Sequence, residues 1–211
     1  MSPRRSVLAA RATRSAVVEE TVNRASLAGL ERVSIGDLAE SLGMSKAGVI
    51  GPFGSKEVLQ LAALERAIEI FRGEVWDRAA GVEPGLERLR AIIDAWLDYL
   101  DRDVFPGGCF LTQSACEFDG RPGPVKEAVE RGLFLWQSVL EAEAKVAVAA
   151  GELPPVDPGQ VAFEIGAIAQ GVNQARQLRG DERAVERGRR AMLRALYLDP
   201  DPRASGSTSA A

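Results

Sequence analysis

The chain has 211 residues, 46% of them hydrophobic, and carries 26 Lys and Arg against 30 Asp and Glu, a formal net charge of −4. It has two cysteines and no histidine, so it lacks the commonest general base, and a zinc site would need an unusual ligand set. No apolar run reaches the roughly 20 residues of a membrane-spanning helix. Arg11 and Arg14 interrupt the apolar residues near the N-terminus, which argues against a signal peptide. We therefore expect a cytoplasmic protein with no cofactor, no metal and no membrane partner.

Charge is divided unevenly along the chain. Residues 1–60 hold eight Lys and Arg and six Asp and Glu, a net charge of +2, whereas the rest holds 18 basic and 24 acidic residues, a net charge of −6. The N-terminal quarter is therefore the part that could face the phosphates of a nucleic acid, and the remainder would be repelled by them.

Hydrophobic periodicity predicts helices throughout the chain and no strand. The first helix is expected from about Arg4 to Ala28, where Gly29 ends it. Two short helices follow within residues 34–50. Clusters of Gly, Pro and Asp then separate six further helices, one beginning near Ser55 and the others covering about 86–100, 109–118, 125–150, 158–179 and 182–197, before a disordered tail at 199–211.

Residues 33–56 have the pattern of two short helices joined by a tight turn. Ser34 and Ser45 each precede a helix as an N-cap, and Gly43 can take the positive φ that ends the first helix. The apolar positions of that helix fall on one face: Ile35, Leu38, Ala39 and Leu42. This outline is that of a helix-turn-helix, which places the start of its second helix in a DNA major groove.

The helix predicted at 158–179 carries a stripe of small residues beside its apolar stripe: Ala162, Gly166, Ala169 and Asn173. This small-residue stripe permits two interpretations. Small side chains allow tight packing inside one subunit, or they allow the same patch of two copies to meet across a twofold axis. The last two helices, about 158–197, are the predicted homodimer interface.

Phe53-Gly54-Ser55-Lys56-Glu57 follow the predicted helix-turn-helix directly. Together with the helix-turn-helix and its position near the N-terminus, this block resembles the TetR family of transcriptional regulators, over about residues 8–60. The resemblance implies an all-α fold with about nine helices. A three-helix DNA-binding domain containing the helix-turn-helix, at 1–60, would precede a larger helical effector-binding and dimerisation domain at 61–198.

The chain departs from the family pattern at the end of the second short helix. The family commonly has Tyr-x-His-Phe there, whereas this chain has Ile50-Gly51-Pro52-Phe53. The aromatic hydroxyl and the imidazole that usually touch phosphates are therefore missing. Pro52 is expected to keep Gly51 out of α-helical geometry, so the helix should end near Ile50.

Eight residues are candidate DNA contacts: Ser34, Ser45, Lys46, Ala47, Gly48, Lys56, Arg4 and Arg5. The ammonium of Lys46 stands at a helix start, where it opposes the helix dipole, and this indicates an external anion; a solvated surface lysine is the alternative. Ala47 and Gly48 are small enough to approach base edges, and Ala47 could touch a thymine methyl group. The resemblance implies a DNA-backbone contact for Lys56, and the N-terminal arginines could form an arm or a solvated helix face.

The resemblance also implies that the helical body encloses a small-molecule effector. Aromatic and polar residues on the apolar helices are the candidates: Trp96, Cys109, Phe110, Gln113, Trp136, Gln170, Asn173 and Gln174. Amide side chains on apolar helices need partners, which a ligand or a second subunit could supply. Ordinary core packing is the alternative for the aromatic residues, and inert buried thiols are the alternative to redox sensing for Cys109 and Cys116.

These features predict a DNA-binding transcriptional regulator: a homodimeric repressor released from a palindromic operator by an apolar small-molecule effector. The alternative is a helical dimeric interaction module that has lost operator binding, which Pro52 and the missing Tyr and His motivate. An enzyme is not predicted, because no Gly-rich phosphate loop and no nucleophile beside an obvious base are found. Glu117 and Asp119 are a near pair of carboxylates, for which a solvated helix terminus is the preferred interpretation.

Overall fold

The computed structural model describes the backbone of residues 3–198 and the side chains of residues 8–198. Nine helices and no strand occur in that part of the chain. They are α1 (Pro3–Ala28), α2 (Ile35–Ser41), α3 (Lys46–Ile50), α4 (Lys56–Phe71, continued by a π-helical turn, Arg72–Trp76, and by Asp77–Ala79), α5 (Leu86–Asp101), α6 (Phe110–Phe118), α7 (Pro124–Ala149), α8 (Pro158–Arg179) and α9 (Ala184–Ala195). The predicted all-α fold is confirmed. The predicted disorder of 199–211 concerns residues outside the described part.

Side chains start the helices where the sequence predicted N-caps. Ser34 Oγ accepts a hydrogen bond from the Asp37 amide at 3.0 Å, and Ser45 Oγ accepts one from the Gly48 amide at 3.0 Å. The same arrangement begins α4 and α8 through Ser55 and Asp157. Each such cap contributes about 0.5–2 kcal/mol, so the helix boundaries are set locally.

One compact unit consists of residues 1–71 and 103–133. Within it α1 packs on α4 and on α2, α2 packs on α3, and α4 packs on α6. Its core contains side chains with at most 1% exposure: Val17, Val22, Leu30, Leu38, Val49, Leu59, Ala63 and Leu64. The segment before α6 lies directly against α1, because a Cβ built on Gly107 would stand only 1.5 Å from the carbonyl oxygen of Ser26.

In the described part, the second compact unit consists of residues 72–102 and 134–198. In it α5 packs on the π-helical turn, on α8 and on α9. A mostly buried ion pair lies beside the start of α5, where Arg88 meets Glu143 at 2.9 Å and Glu143 also accepts the Gly85 amide at 2.9 Å. Arg88 donates to the carbonyl of Val82 as well, so this network holds the loop between α4 and α5. No helix described here combines the length and apolar character that a membrane crossing requires.

The small-residue stripe of α8 faces the interior of the chain. Ala162, Ala169 and Asn173 are 0%, 2% and 8% exposed and Gly166 is half-buried, so three of the four residues pack within the subunit, as the first interpretation has it. A third face of α8 is exposed and carries Phe163, Ala167, Gln170, Gln174 and Leu178. Helical spacing alone could not decide which face of α8 lies in solvent.

The two last helices approach each other closely at Gly188. A Cβ built there would stand 2.2 Å from Val172 Cγ2, a distance at which the β-branched side chain would have to move. We expect Gly188→Ala to lower the free energy of unfolding by about 1–3 kcal/mol, measured by chemical denaturation.

The matched test is the double variant Val172→Ala, Gly188→Ala. Removing the two γ-carbons of Val172 makes room for the new methyl group, so the double variant should be less destabilised than the sum of the single variants by about 1 kcal/mol. If the changes in the free energy of unfolding of the two single variants simply add, the contact between residue 188 and Val172 is not the cause of the destabilisation.

Candidate nucleic-acid interface

The orientation of α3 is set by its packing against α2. Val49 of α3 and Leu38 of α2 are both fully buried, and the two helices pack on each other. The turn between the helices is closed by the Met44 amide, which donates to the Ala39 carbonyl at 2.8 Å, and Gly43 takes φ +61°. The short second helix is thus held rigidly with its N-terminal half turned outward.

The outward face of α3 consists of the predicted contact residues. Ser45, Lys46 and Ala47 are exposed, and Gly48 is half-buried. No carboxylate among the described side chains forms an ion pair with Lys46. Its side chain lies over the start of α2, because a Cβ built on Gly36 would be 3.8 Å from Lys46 Nζ and 3.6 Å from Ser34 Oγ. The fold therefore brings Ser34, Ser45 and Lys46 onto one surface.

The expectation that Pro52 excludes α-helical geometry at Gly51 is wrong. Gly51 has φ −51° and ψ −45°, and its amide donates to the Ala47 carbonyl at 2.9 Å. The usual clash before a proline involves the Cβ of the preceding residue, and glycine has none. The helix nevertheless ends at Ile50 as predicted.

Phe53 joins the end of the helix-turn-helix to α1. Its ring is 6% exposed, and the guanidinium of Arg14 lies 5.0 Å from the ring centroid. This contact places a cation of α1 beside the turn between α3 and α4. Arg4 and Arg5 belong to the first turn of α1, and their side chains lie outside the described residues.

Lys56 has an intramolecular role that the sequence did not indicate. Its Nζ donates to the Glu31 carbonyl oxygen at 2.5 Å and lies 3.8 Å from Glu31 Oε1. The lysine therefore ties the start of α4 to the loop before α2. Its side chain remains 40% exposed, so a DNA contact from the same residue stays a prediction.

Glu117 is the residue of this unit that sequence reasoning missed. The interpretation of a solvated helix terminus is wrong, because its carboxylate accepts the amides of Leu30 at 2.7 Å and of Glu31 at 2.9 Å. Its partners are 87 and 86 residues away in sequence. They are backbone groups, so no side-chain pattern could have revealed the pairing.

The predicted effector residues fall into three groups. Trp96 and Trp136 make an edge-to-face pair in the second unit, with ring centroids 5.3 Å apart, and Asn173 is buried in that unit. Cys109, Phe110 and Gln113 belong to the first unit, where the first two are buried and Gln113 is half-buried. Gln170 and Gln174 are exposed on α8.

Two grooves on the first unit lack the character of an effector site. One, of about 210 Å³, is lined by residues of α4 and of the turn before α7, among them Glu57 and Arg121. The other, of about 290 Å³, lies along α1 and α4 beside Glu19 and Arg66. Effector pockets are usually larger and mostly apolar, and neither groove is lined by a predicted effector residue.

The cysteines and carboxylates form no metal site in the described part of the chain. Cys109 is buried and Cys116 is exposed, and both are thiols rather than disulfide partners. The prediction of buried thiols is right for Cys109 and wrong for Cys116.

A family model described as "Tetracyclin repressor-like, C-terminal domain" matches residues 85–192, just over half of the chain. The chain belongs to the TetR family of transcriptional regulators. TetR-family regulators are DNA-binding proteins, so this chain is a DNA-binding transcriptional regulator and not an enzyme. No curated protein is significantly similar to it in sequence.

Solved structures agree with this fold. A TetR regulator from Chloroflexus aurantiacus has 25% sequence identity and a TM-score of 0.83, covering 90% of this chain and 96% of that one. A TetR-family regulator from Cytophaga hutchinsonii has 18% identity and a TM-score of 0.78, covering 91% and 97%. AibR, solved in complex with isovaleryl coenzyme A and operator DNA, has 22% identity and a TM-score of 0.69, covering 89% and 98%.

Glu20 links α1 to α2 in the DNA-binding part of this TetR regulator. Its Oε1 accepts the Ser41 hydroxyl at 2.6 Å and the Arg24 Nε at 2.6 Å. The hydrogen bond from Ser41, and after it the one from Arg24, lowers the pKa of the Glu20 carboxyl below its ordinary value of 4.5. The folded state therefore favours the ionised form of this side chain.

We expect Glu20→Gln to lower the free energy of unfolding by about 1 kcal/mol near pH 7. A carboxyl whose pKa is lowered by folding stabilises the protein above its unfolded-state pKa, and this contribution is lost as the pH falls through the folded-state value. The difference between wild type and variant should therefore shrink as the pH falls below about 4.5. Denaturation curves across this pH range measure it, and a difference that stays constant with pH would contradict the assignment.

Proposed function

We propose that this TetR regulator is a homodimeric cytoplasmic repressor that binds a palindromic operator through residues 1–60. An apolar small molecule bound in the helical body, residues 61–198, releases it. The observation that carries the proposal is the geometry of α3: Val49 is buried and fixes the helix, while Ser45, Lys46 and Ala47 are exposed on its leading end. That is the arrangement by which a recognition helix enters a major groove.

The proposed contacts divide by chemistry. Ala47 and Gly48 have side chains small enough to let the helix approach base edges. Ser34, Ser45 and Lys46 face one side of the helix-turn-helix and would bind the phosphate backbone. Lys56, Arg4 and Arg5 are proposed as further backbone contacts.

The dimer is proposed to form through α8 and α9. The exposed face of α8 carries Phe163 and Leu178, which are 62% and 76% exposed in the single chain, and burial of such side chains favours association. Around a twofold axis the same patch meets its own copy. Gln170 and Gln174 share this face, so we assign them to the second subunit rather than to the effector.

The effector is proposed to contact Trp96, Trp136 and Asn173 in the second unit, and Cys109, Phe110 and Gln113 are kept as separate candidates in the first unit. Release from DNA requires the ligand to bind one conformation of the dimer more tightly than the other. The AibR structure, with isovaleryl coenzyme A and operator DNA together, is a case in which a protein of this fold holds both kinds of ligand.

A second candidate function is a dimeric interaction module without operator binding. The replacement of the family's Tyr-x-His-Phe by Ile50-Gly51-Pro52-Phe53, and a recognition helix of only five residues, favour it. A dimer that shows no salt-sensitive retention of DNA from upstream of its own gene would support this candidate over the first.

We expect Lys46→Ala to weaken binding to that upstream DNA and to reduce the slope of log K against log salt by about one unit, because one phosphate contact is lost. Mobility-shift titrations at several salt concentrations measure both quantities. Lys145→Ala, an exposed lysine of α7, is the matched control and should change neither. An unchanged slope for Lys46→Ala would remove this residue from the contacts.

We expect Leu178→Glu to convert the dimer to a monomer, because two carboxylates would face each other across the twofold axis in an apolar contact. Size-exclusion chromatography with light scattering measures the mass. Val58→Glu introduces the same group at another exposed apolar position, in α4, and should leave the dimer intact. A dimeric Leu178→Glu protein would contradict the proposed interface.

A further inference from the structure

We infer that Glu117 of α6 is a positioning residue for the DNA-binding head. It holds the loop formed by residues 29–33, which leads into α2, and so determines where the helix-turn-helix stands. The inference rests on the proposed operator binding. This positioning role of Glu117 is separate from the proposed DNA and effector contacts.

The carboxylate of Glu117 fits two backbone amides at once. Its Oε2 accepts Leu30 N–H at 2.7 Å and its Oε1 accepts Glu31 N–H at 2.9 Å. Hydrogen bonds to an ionised acceptor are roughly twice as strong as neutral ones. Leu30 is 1% exposed, so its amide would have to be desolvated without a partner if the carboxylate were removed.

The backbone at Gly29 makes room for this carboxylate. Gly29 has φ +92°, a conformation that favours glycine, and a Cβ built on it would stand 2.8 Å from Glu117 Oε1. Any other residue at this position would therefore strain the backbone and displace the carboxylate. The close contact therefore depends on the glycine at position 29 as well as on Glu117.

The opposite edge of the same loop is held by α4. Gln60, which is 6% exposed, donates to the Leu30 carbonyl at 3.3 Å and to Glu31 Oε2 at 2.8 Å. Lys56 donates to the Glu31 carbonyl. The amides of the loop therefore donate to Glu117 of α6, and the carbonyls of the loop accept from Gln60 and Lys56 of α4. A shift of α6 along α4 would break one of these two sets of hydrogen bonds.

Loss of the hydrogen bonds between Glu117 and this loop should reduce operator affinity without removing any phosphate contact. A loosened loop lets the helix-turn-helix adopt several orientations, and the apparent dissociation constant rises in proportion as the competent orientation becomes rarer. Charge alone predicts the opposite, because removal of a carboxylate makes a DNA-binding protein less repelled by phosphates. Loss of positioning lowers operator affinity and loss of negative charge raises it, so the direction of the change distinguishes the two effects.

The test compares Glu117→Gln with Glu65→Gln, which makes the same charge change at an exposed position of α4. We expect Glu117→Gln to remain folded and dimeric and to bind upstream operator DNA about tenfold more weakly, with an unchanged salt slope. Glu65→Gln should bind as tightly as wild type or slightly more tightly. Hydrogen exchange at the Leu30 and Glu31 amides should quicken only in Glu117→Gln.

Three results would overturn the inference. The first is wild-type affinity in Glu117→Gln despite faster exchange at residues 30 and 31, which would leave Glu117 a purely structural role. The second is a change of salt slope by about one unit, which would make the effect electrostatic. The third is absence of salt-sensitive binding by wild type, which alone would also overturn the proposed function. If Glu117→Gln does not fold, Glu117→Asp carries the test, with an affinity below wild type at equal salt slope as the expected result.

Discussion

The burial of Val49 on α3, the short helix that packs on α2, is the constraint on which the rest of the DNA-binding part depends. A helix of five residues has no stability of its own, because its nucleation cost exceeds the few hydrogen bonds it forms. Burial of Val49, the Ser45 cap at the helix start and the turn closed by the Met44 amide keep α3 in place. The burial of Val49 also leaves Lys46 and Ala47 exposed, so one contact both stabilises α3 and presents these two residues to solvent.

The DNA-binding part is built with help from a distant stretch of the chain. Residues 103–133 belong to the same compact unit as residues 1–71, where Glu117 accepts two amides of the loop after α1 and Gly107 lies against Ser26 at the end of α1. A boundary at residue 60 stays a prediction for the domain organisation.

The basic residues near the N-terminus divide into two groups. Arg24 pairs with Glu20 within α1, and Lys56 joins the start of α4 to Glu31 in the loop before α2. Lys46 forms no ion pair with a carboxylate of the described part, whereas Lys56 already binds Glu31 and would contact DNA only in addition to that role. Net charge could not make this distinction, because it counts each lysine equally.

The sequence by itself determined what depends on neighbours along the chain. Ser34, Ser45 and Gly43 act within a few residues, so the caps and the turn followed from local preferences, and with them the helix-turn-helix and the family resemblance. The family match at 85–192 lies instead where periodicity predicted only helices. Tertiary structure decided which face of α8 is buried and what Glu117 binds. These depend on packing between segments up to 87 residues apart, which local backbone energetics do not encode.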